Sequence, residues 1–372
     1  MNHVAIRRER LARLLPDESL DALLISNAVN VTYLTGFTGD SSVVVLTRDR
    51  AILISDPRYT GQIADECPGL ETHIRPPTQR IGEAAAEVLT KLGLRAVGFE
   101  SGVVTVAEFD YIKGLAPTVE WKGVADRVER MRMVKDDDEL GRIRGAIAVA
   151  ERAFTALCAL LRPEDTEIEL CDAMEANVRR AGGQGTAFPS IVAVGDRAAL
   201  AHAPPTDRPV SASGFLLVDW GATVAGYKSD LTRVLATRTK ASFARDADGR
   251  KLEEVYAVVL RAQEAAIRAV RPGVDAKDVH AAAHGVIADA GYGDAFNHGL
   301  GHGLGLQIHE GPAVRANSTD VLAEGMVFTI EPGVYLPGWG GVRIEDDVRV
   351  TADGCEVLTS APHDLWLLGA SR

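Results

Sequence analysis

The sequence has few cysteines, few aromatic residues and no long uninterrupted apolar segment. Its 372 residues include four cysteines, and none of them forms a C-x-x-C pair, which argues against a zinc knuckle or a redox motif. No segment approaches the roughly 20 apolar residues of a membrane span. Charged residues interrupt the amino-terminal segment, which lacks the apolar core of a signal peptide. We therefore expect a cytoplasmic protein with reduced thiols.

The sequence also lacks a stripe of Lys and Arg interleaved with aromatic residues. The formal net charge is −12 and aromatic residues make up 5% of the chain, so binding to nucleic acid is disfavoured. The hydrophobic fraction of 46% and the charged fraction of 25% are those of an ordinary globular protein. An acidic surface weakly favours a substrate that carries a positively charged amino terminus.

The length favours two domains. In the first third, short apolar runs alternate with helical spacing, which predicts an α/β domain with strands at 22–26, 43–46, 52–54 and 96–99 and helices at 81–92 and 106–115. A charged segment at 131–140 then leads into a long helix, for which Asp136 or Asp137 is the expected N-cap. The remainder groups strands after helices and indicates an α+β domain. We predict domains at 1–128 and 129–372.

One pair of acidic residues lies in a predicted hairpin, FLLVDWGATVAGYKSDLTRV at 215–234. Asp219 and Asp230 are equidistant from a point between Val224 and Ala225, and Gly226 lies in the turn. In a symmetric hairpin the two carboxylates would face each other, and burial would increase their repulsion. A divalent cation between them removes this conflict, so the spacing indicates a metal site.

A second hairpin is predicted at 328–348, where Glu331 and Glu345 are symmetric about Gly338. Four carboxylates from two hairpins exceed what one metal usually needs, and two metals that share bridging carboxylates would account for them. A single acid in a strand is more often an edge or turn residue, and the acids at 345–347 taken alone fit a solvated face. The joint pattern favours the metal site.

Histidines supply the remaining candidates. The segment 297–312, NHGLGHGLGLQIHEGP, contains His298, His302 and His309 with glycines between them. Glycine allows the backbone to approach a crowded site, and an imidazole beside acids is typical of transition-metal sites. His202 lies in the proline-stiffened segment AHAPPT. Taken alone, the glycines fit ordinary turns. A single histidine taken alone fits a surface position or a core position where its hydrogen bonds are satisfied.

These segments together resemble the signatures of a known family. VDWGA…SDLTR, GHGLGLQIHEGP, TIEPG and RIEDD resemble the metallopeptidases with the pita-bread fold, which include aminopeptidase P, prolidase and methionine aminopeptidase. The segments YLTGFTG and SDPRY are similar to the creatinase/prolidase amino-terminal domain. The resemblance implies an α+β protein, with a pita-bread catalytic domain at 129–372 preceded by a smaller α/β domain at 1–128.

The resemblance implies a role for each candidate residue. The metal ligands would be Asp219, Asp230, His302, Glu331 and Glu345, with Asp230 and Glu345 bridging two ions. Glu331 would also transfer a proton. His309 would stabilise the tetrahedral intermediate, His202 would contact the cleaved amide, and His298 and Arg343 would line the pocket for proline.

The activity implied is that of an Xaa-Pro aminopeptidase, in which water activated between two divalent metals removes the residue before proline. The family suggests manganese, with cobalt and zinc as alternatives that suit the same ligands. It also suggests a homodimer. Xaa-Pro dipeptidase is the main alternative. Methionine aminopeptidase usually lacks the amino-terminal domain, whereas creatinase and non-enzymatic relatives lack the metal ligands.

Overall fold

The computed structural model describes residues 3–243 and 245–366. Contacts within the chain divide it into two compact units between Arg132 and Met133. Among the described residues, none of the helices combines the length and the apolar character that crossing a bilayer would require. The two units have different architectures, and each is described by itself.

The first unit is a mixed α/β layer structure. Its helices are α1 (His3–Ala12), α2 (Ala28–Thr35), α3 (Thr60–Glu66), α4 (Ile81–Lys91), α5 (Val106–Leu115) and α6 (Arg127–Met133), which reaches the division. Its strands are β1 (Ala22–Ile25), β2 (Val43–Thr47), β3 (Ala51–Ser55), β4 (Glu71–Ile74), β5 (Ala96–Glu100) and β6 (Glu120–Val124). These strands and the helices at 81–91 and 106–115 confirm the predicted α/β pattern.

The strands of the first unit form one six-stranded sheet in the order β4-β3-β2-β1-β5-β6. Only β2 runs antiparallel to its neighbours, while β1, β5 and β6 pair in parallel. The inner strands β1, β2, β3 and β5 are mostly apolar and buried, as strands covered by helices must be, whereas the edge strands β4 and β6 are largely polar and exposed. Helix α4 buries its three alanines, Val88 and Leu89 against this sheet, and Thr105 and Glu108 form a capping box that fixes the start of α5.

The second unit has long helices around short, paired strands. Its helices are α7 (Asp137–Leu160), α8 (Glu167–Arg180), α9 (Lys240–Phe243), α10 (Ala247–Ala269) and α11 (Ala276–Asp289). Its strands are β7 (Gly185–Thr186), β8 (Ile191–Val194), β9 (Phe215–Trp220), β10 (Ala222–Val224), β11 (Tyr227–Lys228), β12 (Leu231–Ala236), β13 (Gly301–Gly303), β14 (Glu310–Val314), β15 (Val327–Ile330), β16 (Gly333–Leu336), β17 (Gly340–Arg343), β18 (Asp346–Val350) and β19 (Cys355–Val357).

The helices of the second unit bury one face each. Asp136 is the N-cap of α7 and forms a capping box with Glu139, as the charged segment predicts. Helix α10 buries Leu252, Val255 and Val259, whose spacing is that of one helical face. Helices α7 and α8 pack against one face of β8, β9 and β12, whereas α10 and α11 belong to the core that covers the other face of these strands and the strands near the carboxyl end. The strands between these helices carry the candidate site.

The four cysteines are free, and no disulfide joins them. Cys67 is buried, and the other three are partly buried. Burial raises the pKa of the Cys158 and Cys355 thiols to about 12, and that of Cys171 to about 11. A thiol with a raised pKa is a weak nucleophile and a weak metal ligand near neutral pH. The cysteines therefore behave as small apolar residues.

Candidate metal centre

The first hairpin pairs β9 with β12, but not in the predicted register. Thr232 lies opposite Asp219, and Leu231 lies opposite Trp220. The prediction that Asp219 and Asp230 face each other is wrong by two residues. The turn consists of Ala225 and Gly226, which both have positive φ, at 49° and 81°. A two-residue turn of this kind needs positive φ at both positions, which glycine adopts easily. The centre of the hairpin therefore lies between Ala225 and Gly226, one residue beyond the predicted point.

The second hairpin has the predicted register. Strands β15 and β18 pair Ile330 with Asp346, and strands β16 and β17 pair Gly333 with Arg343. Glu331 and Glu345 lie between these two ladders and occupy equivalent positions about Gly338, whose φ is 80°. The prediction that this hairpin brings two acids together is confirmed.

The two hairpins are joined by hydrogen bonds between their polar side chains. Thr232 Oγ1 donates to Glu345 Oε2 over 2.7 Å, and Arg343 Nε donates to Thr232 Oγ1 over 3.0 Å. Arg343 Nη2 also donates to Asp219 Oδ2 over 2.5 Å. Each hairpin therefore fixes an acid of the other.

A second cross-link lies behind the acids. Arg233 Nη2 and Asp346 Oδ1 are 2.7 Å apart, and both side chains are 1% exposed. Arg233 also donates to the backbone carbonyl oxygens of Glu345, Ala361 and Pro362. Because its donors are satisfied on several sides, this buried ion pair holds the strands in place without leaving a free charge.

One cavity of about 640 Å³ contains every candidate site residue. Its lining includes acids, imidazoles and one guanidinium: Asp219, Asp230, Glu331, Glu345, His202, His298, His302, His309 and Arg343. The acids Asp219, Asp230 and Glu345 are buried, whereas His202 and His309 are exposed. Their roles as ligands or catalytic groups stay predictions.

Three of these residues offer ligand atoms at the spacing that one ion needs. The ligand atoms of Asp230, His302 and Glu345 all lie within 4.8 Å of one another. His302 Nε2 is 3.7 Å from Asp230 Oδ2 and 3.5 Å from Glu331 Oε1. The imidazole of His302 is therefore directed at carboxylates from both hairpins.

The electrostatics of the cavity favour a bound cation. Burial raises the pKa values of Asp230 and Glu345 well above their usual range, and the neighbouring carboxylates raise them further. Burial also raises the pKa of Glu331 to about 8, although Arg343 acts in the opposite direction. These carboxylates are held together at a cost that a divalent cation would offset.

His298 and His302 are neutral imidazoles near neutral pH, because their pKa values are lowered. Burial, followed by the charge of His309, lowers the pKa of His302 to about 4. Burial, followed by the charge of Arg343, lowers the pKa of His298 to about 4. A neutral imidazole has a free lone pair, which is the form that binds a transition metal.

Close backbone packing explains the glycines around His302. A Cβ at Gly301 would lie 1.9 Å from the carbonyl oxygen of Thr329, and one at Gly303 would lie 1.9 Å from that of Gly311. No larger residue fits at either position without moving the backbone. Strand β13 therefore carries the histidine into the sheet because its two neighbours have no side chains.

Sequence reasoning did not identify Thr232 and Tyr335. Tyr335 Oη accepts a hydrogen bond from Arg343 Nη1 over 2.8 Å and lies 3.0 Å from His298 Nε2. Thr232 could have been found, because it lies two residues after Asp230 and so on the same face of an extended strand. Tyr335 has no comparable signal, since only the folded hairpin places it beside Arg343. The apolar lining formed by Phe188, Ile191 and Ile308 was also missed.

The fold and this acid–histidine cavity define a pita-bread metallopeptidase. Residues 141–352 match metallopeptidase family M24, and residues 7–134 match the creatinase/prolidase N-terminal domain. The chain belongs to metallopeptidase family M24, with a creatinase/prolidase amino-terminal domain. The resemblance predicted from the sequence is confirmed.

Three relatives cover almost the whole chain. It is 34% identical to the Xaa-Pro dipeptidase of Bacillus anthracis, with a TM-score of 0.91 over 98% of this chain and 99% of the other. It is 35% identical to the X-Pro aminopeptidase of Thermotoga maritima, with a TM-score of 0.87 over 97% and 99%. It is 32% identical to the Xaa-Pro dipeptidase of Pyrococcus horikoshii over 96% of this chain and 97% of that protein.

Proposed function

We propose that the protein is an Xaa-Pro aminopeptidase that requires two divalent metal ions, with manganese as the expected metal. The observation that carries the proposal is one cavity in which acids from two hairpins surround a neutral imidazole. The names of the relatives support a proline-directed peptidase, and they divide between dipeptidase and aminopeptidase. The names alone therefore leave substrate length open, and the charges of the cavity bear on it.

The residues present fit a metal centre. Asp219 Oδ1 is buried and has no hydrogen-bond partner among the described residues, while its Oδ2 is held by Arg343. An unpartnered buried carboxylate oxygen is costly unless a cation completes its surroundings. The donor set, with four carboxylates and one imidazole, suits manganese, cobalt or zinc. Residues Asp219, Asp230, His302, Glu331 and Glu345 would hold the ions.

When bound, the two ions would polarise the peptide carbonyl and lower the pKa of water. The remaining chemistry belongs to side chains of this chain. Glu331 lines the same cavity as the other acids, and its Oε1 lies 3.5 Å from His302 Nε2, so its carboxylate is placed to act as a general base and acid. It is suited to carry a proton from water to the nitrogen of the leaving proline.

The exposed histidines provide hydrogen bonds at the opening of the cavity. Burial and the neighbouring His202 lower the pKa of His309, so its imidazole is neutral at neutral pH. A neutral imidazole can donate one hydrogen bond to an oxygen that gains charge in the transition state. His202 would contact the cleaved amide. His298 and Arg343, which both contact Tyr335, would form the wall beside the proline ring.

The charges of the cavity favour longer peptides over dipeptides. A dipeptide Xaa-Pro ends in a carboxylate directly after the proline ring, and a buried carboxylate needs a cation. Arg343 is the one Lys or Arg among the described lining residues, and three of its five N–H donors are already directed at Asp219, Thr232 and Tyr335. A longer peptide presents a neutral amide at the same place. This difference supports the aminopeptidase over the dipeptidase.

Four matched substrates test the proposal: Ala-Pro, Ala-Pro-amide, Ala-Pro-Ala and Ala-Ala-Ala, each assayed with manganese. We expect kcat/KM for Ala-Pro-Ala to exceed that for Ala-Ala-Ala by about tenfold or more, because a fitted pyrrolidine ring contributes roughly 1–3 kcal/mol. Ala-Pro-amide should be cleaved faster than Ala-Pro, since the two differ only in the terminal charge. Preference for Ala-Pro would identify a dipeptidase. Equal rates on proline and alanine would identify a general aminopeptidase.

A further inference from the structure

A buried ion pair lies beside the segment that carries His309. Glu310 Oε1 is 2.9 Å from Lys135 Nζ, and the two side chains are 5% and 1% exposed. The other carboxylate oxygen, Oε2, accepts a hydrogen bond from the backbone nitrogen of Gln307 over 3.3 Å. A Cβ at Gly305 would lie 2.6 Å from Glu310 Oε1. The carboxylate of Glu310 thus fills the inside of the loop at 304–309, which joins His302 to His309.

Lys135 is itself fixed to the strand that leads to Glu331. Its backbone nitrogen donates to the carbonyl oxygen of Gly325 over 2.9 Å, and Val134 forms a bridge with Met326. Met326 directly precedes β15, which ends one residue before Glu331. Lys135 therefore connects the strand of one catalytic candidate to the loop of another, across 175 residues of sequence.

The position of His309 depends on this loop. Its side chain is exposed, and its ring nitrogens make no hydrogen bond within the described part of the chain. Its ring packs edge-on against that of His302, with the centroids 4.2 Å apart. His302 is held by β13, whereas His309 follows the loop that Glu310 fills. A shift of this loop would move His309 away from the cavity while leaving His302 in its strand.

We propose that Lys135 and Glu310 are positioning residues that hold His309 at the distance catalysis needs. The proposal rests on the proposed function, because it assigns His309 a role in the reaction. The ion pair itself contacts no substrate. The ion pair keeps the imidazole of His309 in place before a peptide binds. The entropic cost of orienting this imidazole in the transition state is therefore small.

The test uses the double variant Lys135→Met/Glu310→Gln, which removes both charges and leaves no buried ion without its partner. The control is Arg144→Met/Glu356→Gln, since Arg144 and Glu356 form a partly exposed ion pair in the same unit. We expect the first variant to lose about 10–100-fold in kcat with its metal content unchanged, as a displacement of about 1 Å can cost this much. The control should keep wild-type kcat.

The same double variant made in a His309→Ala background distinguishes two causes of a lower kcat. One is displacement of the His309 imidazole, and the other is a general disruption of the structure. Once the imidazole is gone, removing the ion pair should change kcat by no more than about twofold, because the two changes act through one group. An equal loss in both backgrounds would overturn the proposal. Loss of bound metal in the double variant would also overturn it, since His302 rather than His309 would then depend on the pair.

Hydrogen–deuterium exchange provides a readout that does not depend on activity. Amides at 304–310 should exchange faster in Lys135→Met/Glu310→Gln than in wild type or in the control variant, because the loop loses its internal support. Unchanged exchange would contradict the proposal even if kcat falls. If the wild type cleaves no proline peptide but the loop exchanges faster, the proposed function fails and the structural part of this inference stands.

Discussion

The two hairpins that bear the acids differ in how their turns set the register. In the hairpin at 215–236, Ala225 and Gly226 form a tight two-residue turn, and Asp219 lies opposite Thr232. In the hairpin at 327–350, a longer glycine-rich turn is centred on Gly338, and Glu331 and Glu345 occupy equivalent positions. A shift of two residues keeps side chains on the same face. Both hairpins therefore still present their acids to one cavity.

The difference shows that neither hairpin forms the site alone. In the first hairpin Asp219 and Asp230 do not lie opposite each other. The residue opposite Asp219 is Thr232, which carries a hydroxyl instead of a carboxylate. Thr232 then donates to Glu345 of the second hairpin, and Arg343 of the second hairpin holds Asp219 of the first. The offset places a hydroxyl and a guanidinium between acids that would otherwise repel one another.

The largest expected effect comes from removing one acid from each hairpin. Asp230→Asn and Glu345→Gln should each lower the bound metal and reduce kcat by about 10³–10⁴-fold, since metal ions supply several kcal/mol of transition-state stabilisation. Metal content by mass spectrometry and kcat on Ala-Pro-Ala measure both effects. Glu324→Gln, at an exposed turn, is the control. If only one of the two variants loses metal, the hairpins do not share the site.

A smaller effect is expected from the buried cross-link between the hairpins. Arg233→Met should lower the free energy of unfolding by about 3–5 kcal/mol, because it leaves the buried carboxylate of Asp346 without its guanidinium. Urea denaturation followed by circular dichroism measures the loss. Arg144→Met breaks a partly exposed pair and should cost no more than about 1 kcal/mol. Equal losses for the two variants would show that the hairpins hold together without Arg233.

The smallest effect concerns the turn that sets the offset register. Ala225 has a φ of 49°, which is unfavourable for a residue with a Cβ. Ala225→Asn gives an Asn-Gly turn and should raise the free energy of unfolding by about 0.5–1 kcal/mol without changing kcat. Thermal unfolding and the peptide assay measure the two quantities. A destabilised variant would contradict the inference that the left-handed conformation of Ala225 costs stability.

Much of the fold could be predicted because its signals are local. Helices α5 and α7 begin at capping residues that the sequence displays, Thr105 and Asp136, and the apolar strands of the first unit stand out from their charged turns. The symmetric spacing of Glu331 and Glu345 gave the right register because glycine occupies the centre of the turn. These features need only a few consecutive residues to be recognised.

The remaining features depend on contacts that the sequence does not display. Counting from Asp219 to Asp230 puts the hairpin centre between Val224 and Ala225, whereas the turn conformation puts it between Ala225 and Gly226. The pairs Arg343–Asp219 and Lys135–Glu310 join residues more than 100 positions apart. Such pairs can be recognised only once both hairpins and the loop at 304–309 are folded together.

The glycines that flank His302 determine where this enzyme can be altered by directed evolution. Because a side chain at Gly301 or Gly303 would overlap a backbone carbonyl, libraries that randomise these positions should yield almost only inactive protein. The side chains of Phe188, Ile191 and Ile308 form an apolar wall of the same cavity. Variation aimed at a new substrate preference therefore belongs on that wall, where side chains can change while the histidine strand stays as it is.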